Sequence, residues 1–173
     1  MAAPLTIPIA TTARLADDRS QPTKSTESVA AILRRCKTSL IADWLTRTKN
    51  TCELNHLHLS DVERTGHLPK LVDDIVARLG KTTLPSKDSD AVDYPAAVEH
   101  GKLRRTQRYT PAMLIHESRI LQVTIFGTLH TNLTVLDFSL LLPDVMIIAD
   151  EVDAQLTQSM DGYMKVMQKA AAA

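Results

Sequence analysis

Apolar residues in this chain recur at every third or fourth position in four long stretches, and nowhere do they alternate as a half-buried strand requires. The first stripe runs through Val29, Ile32, Leu33, Cys36, Leu40, Ile41, Trp44 and Leu45, within a helix expected over 27–50 and capped by Ser25 or Thr26. Ser60-Asp61-Val62-Glu63 matches a capping box and opens a short helix, which Gly66 and Pro69 break. A second stripe, Leu68, Leu71, Val72, Ile75, Val76 and Leu79, stops at Gly80. Helices are then expected over 94–108, with Pro95 in the first turn, and over 110–129, with Leu114, Ser118, Leu121, Ile125 and Leu129 inward. After a break over 132–137 and a turn over 138–142, Pro143 starts or kinks the last helix. That helix carries Val145, Ala149, Val152, Leu156, Met160, Tyr163 and Met167 in steps of three and four, close to a heptad seam. The expected fold is an all-α bundle of five to seven helices with a long C-terminal helix.

Composition narrows the function. A chain of 173 residues, 44% apolar and with zero formal net charge, holds one domain with a real core and has no long-range pull toward nucleic acid or an anionic membrane. Five glycines and 3% aromatics argue against a sandwich, a barrel or a stacking platform for single strands. Cys36 and Cys52 lack a CxxC motif and read as reduced, partly buried thiols. Residues 1–25 lack the basic region and apolar core of a signal peptide and read as a flexible leader to a single domain over 26–169. The Pro/Ser/Asp-rich stretch over 81–93 reads as a loop, and 170–173 as an Ala-rich end, either a cloning remnant or the lead into an effector. No stretch is apolar enough to insert in a membrane, and the expected location is cytoplasmic.

The chemistry gathers between Glu99 and Leu129. Thr110-Pro111 fixes a corner where one helix stops and the next begins. On a helix, His100, Arg104 and Arg108 share a face at four-residue steps, and Glu117 across the corner is their counter-charge. With Tyr109 they form the candidate polar cluster, either a pocket for a ligand or a structural lock. Trp44, His67 and His116 are secondary candidates, with Trp44 reading as core because it continues the Leu40/Ile41 stripe. His116-Glu117 lacks the second His four positions on that a zinc protease needs, and His56-x-His58 has no third ligand, so no metal is expected. No phosphate-cradling glycine loop, nucleophile elbow or activated cysteine is written here. Two alternatives remain. Phosphotransfer would use His100 standing in water beside Gly101 and Lys102. A haem sensor would use His67, His100 or His116 as proximal ligand.

Trp44, Leu68-Pro69, His100-Gly101 followed by Arg104, Tyr109 at the corner, and Glu117-Ser118-Arg119-Ile120-Leu121 stand in the order and spacing of a known domain. Over roughly residues 27–165 the chain resembles the RsbRD-type N-terminal domain of stressosome co-antagonists and bacterial sensor histidine kinases. Arg108 stands where that family usually has Gly, Gln122 where it has Arg, and Ser118 where an aromatic is frequent. The resemblance implies a globin-like bundle without haem, acting as a non-catalytic, dimeric signal-input module for a downstream effector.

Overall fold

The computed structural model describes residues 26–81 and 94–171, so the expected leader over 1–25, most of the expected loop over 81–93 and the last two alanines lie outside the described residues. Seven helical segments follow one another among them: α1 (Val29–Lys49), α2 (Cys52–Asn55), α3 (Asp61–Thr65), α4 (Leu68–Leu79), α5 (Pro95–Thr106), α6 (Pro111–Thr131) and α7 (Leu141–Ala171). The architecture is an all-α bundle with a long C-terminal helix, and no strand forms among the described residues. No described helix is long and apolar enough to cross a membrane.

Most boundaries follow the local chemistry. Ser60 accepts from the Glu63 N–H while the Glu63 carboxylate accepts from the Ser60 N–H, closing the expected capping box. Thr110 caps α6 by accepting from the Met113 N–H, with Pro111 at the first helical position. Pro143 falls in the first turn of α7, so it starts the helix rather than kinking it. The first helix begins later than expected. Ser28 is its cap, because the backbone of Glu27 is extended and bonded to Val135 and Asp137 in an isolated bridge.

α1 packs on α4 and α6, which in turn meet α7, and α5 lies along α7. The α4 stripe is buried in full, and Trp44 has no exposed surface. Cys36 is partly buried as expected, whereas Cys52 opens α2 and is exposed.

α7 departs from its sequence pattern. Of the expected seam only Val152 and Tyr163 are buried, while Val145, Ala149, Leu156, Met160 and Met167 are half-covered. The buried line instead runs Ile148, Glu151, Gln155, Ser159 and Gly162. The cause is α5, which approaches so closely that small and hydrogen-bonded residues are required at the contact. A Cβ on Gly162 would stand 2.2 Å from the Val98 carbonyl oxygen, and one on Gly101 only 1.8 Å from that of Ser159. The Ser159 hydroxyl donates to the Ala97 carbonyl at 2.9 Å, and the Tyr94 hydroxyl to the Glu151 carboxylate at 2.5 Å. Hydrogen bonds therefore line the α5–α7 contact, one helical step from the apolar seam.

Gly→Ala inside a helix normally gains about 1 kcal/mol of propensity. Here the added carbon meets a neighbouring backbone that cannot swing aside. Gly162→Ala is expected to destabilise the domain by about 2 kcal/mol or more in urea unfolding, and a gain in stability would show that the two helices are not in contact.

Candidate functional site

The corner between α5 and α6 is built by a helix stop in which the Arg108 N–H donates to the Arg105 carbonyl at 3.1 Å and the Tyr109 N–H to the Arg104 carbonyl at 3.0 Å. This geometry needs a left-handed residue, and Arg108 supplies it at φ 65°. A non-glycine residue in that conformation costs about 1 kcal/mol. The turn sends Arg108 outward, where it is exposed, and Tyr109 inward, where it is fully buried. The expected face of His100, Arg104 and Arg108 therefore stops at Arg104, because α5 ends at Thr106 before the next turn is made.

Arg104 is 0% exposed and Glu117 3% exposed, and they pair side-on. Arg104 Nε lies 2.9 Å from Glu117 Oε2, and its Nη2 lies 2.5 Å from Oε1. The remaining guanidinium hydrogens reach the Glu63 carbonyl at 3.1 Å, the Gln107 side chain at 2.6 Å and the Arg64 carbonyl at 2.7 Å. The Tyr109 ring lies under the guanidinium, 4.7 Å from its carbon, and the Tyr109 hydroxyl stands 3.4 Å from Glu117 Oε1. His100 Nε2 is 3.4 Å from Glu117 Oε2. Thus His100, Arg104, Tyr109 and Glu117 come together as expected.

His67 joins them from the residue before α4. Its ring stacks on His100 with centroids 3.8 Å apart, and its Nε2 lies 3.3 Å from Arg104 Nη2. Trp44 meets His67 edge-on at 6.3 Å, so it belongs to the core and also walls the cluster. His116 does not belong. It sits on the outer side of α6, with Nδ1 3.3 Å from the carboxylate of Glu53.

Sequence reasoning missed three contributors. Arg64 is buried and donates to the Leu54, Leu57 and Leu59 carbonyls, fixing the backbone whose own carbonyl receives Arg104. No periodicity marks it, because α3 is a single polar turn. Glu151 and Gln155 are buried on α7. Their signal was legible: Glu151, Gln155 and Ser159 recur at four-residue steps with Gly162 following, a polar stripe beside the apolar one.

Protonation follows from burial and pairing. Burial pushes the Glu117 carboxyl up, but His100 and Arg104 outweigh it and hold the group below the usual range. Burial also drives His67 well below its ordinary value, helped by the charges of His100 and Arg104. His100 is lowered by burial against the opposing pull of Glu117. Burial raises the Tyr109 phenol, with Glu117 adding to the effect.

The cluster lines a cavity of about 20 Å³, bordered among others by Trp44, His67, His100, Glu117 and Gln155. A porphyrin does not fit there, and the two stacked imidazoles face each other rather than an open plane. Nor does His100 stand in water as phosphotransfer requires. It is 6% exposed, and the carboxylate at its Nε2 would repel a phosphoryl group. His67, His100 and Glu117 place one ligand atom each within 4.8 Å of one another. Both oxygens of Glu117 are already held by Arg104, however, so a divalent ion would stand uncompensated beside a fixed cation.

No family model matches the chain, and neither a curated protein nor a solved structure matches it.

Removing one partner of the central pair strands the other in the interior. Glu117→Ala is expected to lower stability by about 3–5 kcal/mol, and a loss under half a kcal/mol in urea unfolding would mean that the pair is screened by solvent. The pH dependence has a definite sign. Unfolded imidazoles take up protons around their ordinary pKa of 6.5, while His67 and His100 stay neutral to lower pH in the fold. The unfolded state thus binds more protons below that value. Stability is complete above it and falls as pH drops through the folded values, with Glu117 acting in the same direction at lower pH. The urea midpoint is expected to be lower at pH 5.5 than at pH 7.5, and His67→Phe is expected to flatten the difference.

Proposed function

We propose that this domain is a non-catalytic signal-input module, the N-terminal sensor of a bacterial histidine kinase or stressosome-type regulator, built as a haem-free, globin-like bundle and acting as a dimer. The observation that carries this reading is the enclosed His100–Arg104–Tyr109–Glu117 cluster. It unites several of the residues on which the family resemblance rests, and it ties α5 and α6 to α3 without forming a nucleophile–base pair. The left-handed backbone at Arg108 adds support, since the family's usual Gly is the residue such a conformation favours.

The cluster is connected to the long helix. Tyr163 on α7 donates its hydroxyl to the Tyr109 carbonyl at 2.6 Å, and Gln155 of α7 walls the cavity. α7 has 31 residues, which makes it about 46 Å long. A change at the cluster therefore bears directly on an element able to carry a shift to an effector. Leu142, Met146 and Met164 of α7 leave apolar surface exposed, and a second copy would cover it.

Light scattering at micromolar concentration is expected to give twice the 19.1 kDa chain mass. A monomer would remove the dimer from the reading. Glu117→Gln keeps the side-chain shape and removes the charge. It is expected to change amide exchange along α7 beyond Ser159, and unaltered exchange there would detach the cluster from the output helix.

A further inference from the structure

Four buried polar side-chain atoms have no hydrogen-bond partner among the described residues: Trp44 Nε1, His67 Nδ1, His100 Nδ1 and Gln155 Oε1. All four residues line the same cavity of about 20 Å³. They come from α1, the residue capping α4, α5 and α7. One orphaned polar atom is a local defect; four around one space are a binding site.

Their hydrogen-bonding character follows from their other contacts. The Trp44 indole N–H only donates. His67 Nε2 lies 3.3 Å from Arg104 Nη2, a cationic group that cannot accept, so Nε2 keeps its lone pair toward the guanidinium and the neutral ring carries its proton on Nδ1. The ionised Glu117 carboxylate only accepts, so His100 Nε2 carries the proton and His100 Nδ1 is a free acceptor. The Gln155 amide nitrogen donates to the Leu71 carbonyl at 3.1 Å and to Glu151 at 3.0 Å, leaving its oxygen as an acceptor. The wall therefore presents two donors and two acceptors.

We propose that this cavity is a binding site for one small neutral hydroxylic molecule, water or a one-carbon alcohol, whose oxygen accepts from Trp44 and His67; water gives one hydrogen to each of His100 and Gln155, whereas an alcohol gives its single hydrogen to one of them. The volume holds about one water and little more. Charge balance favours a neutral guest, because Arg104 and Glu117 already neutralise each other beside it. An ion would bring an uncompensated charge into the interior. His67 and His100 also line an open cleft with Gly66, Lys70, Pro95 and Glu99, so the stacked imidazoles form the wall between the cavity and the surface. This assignment deepens the sensing reading by naming what its pocket takes.

Trp44 is the one tryptophan of the chain, so its indole proton gives a single unambiguous NMR signal. In nitrogen-labelled protein that proton is expected to show a cross-relaxation peak to a long-lived water. With carbon-labelled methanol added, a peak from the indole proton to the methyl group would identify an alcohol as the guest. Either peak supports the site, and the pair distinguishes the two sources. A cavity that gives neither is dry, and the proposal fails. Gln155→Met keeps the chain length and removes the acceptor. It is expected to weaken the peak several-fold in a protein whose remaining amide spectrum is unchanged, and full retention would overturn the four-atom assignment. A dry cavity would leave the dimer and α7 exchange tests standing, and a monomer would leave an occupied cavity standing.

Discussion

The guanidinium of Arg104 is the constraint around which the rest of the interior is arranged. A fully buried cation is tolerated only when every donor has an acceptor and a counter-charge stands alongside. Meeting that demand draws in Glu117 from α6 and the carbonyls of Glu63 and Arg64 from α3. The carbonyls are available because Arg64 in turn holds the preceding loop by three backbone oxygens. The corner at Arg108 then becomes necessary, since only a sharp stop after α5 brings α6 back with Glu117 facing Arg104.

A second constraint acts on the other side of α5. Gly101 follows His100, and its missing side chain lets α7 approach until backbones touch. The same helix therefore offers a charged face to α6 and a bare face to α7. Its position is fixed from both sides, and the imidazole of His100 is held against Glu117 and His67 with little freedom. This is the geometry of a preorganised cluster, close-packed on both sides.

Much of the layout was legible in the chain. The α4 stripe, the capping box at Ser60, the Thr110-Pro111 corner and the pairing of Arg104 with Glu117 all follow from short-range rules. Two features were legible only in part. The i, i+4, i+8 rule places Arg108 with Arg104 as long as the helix continues, and a single left-handed residue ended it. The most buried face of α7 does not follow the apolar seam that its sequence shows. There the closest neighbour is a helix at backbone contact, and small and polar residues fill the interface.

The sequence by itself determined most of the elements: where α3, α4 and α6 start, that no strand forms among the described residues, and which charges lie within reach across one corner. These depend on contacts within a few residues, which chain order dictates. Only the tertiary structure decided that His67 stacks on His100, that Gln155 and Trp44 face the same cavity, and that His116 and Arg108 lie outside it. Those relations join helices far apart in the chain, and they depend on how closely α5 and α7 approach, which periodicity does not encode.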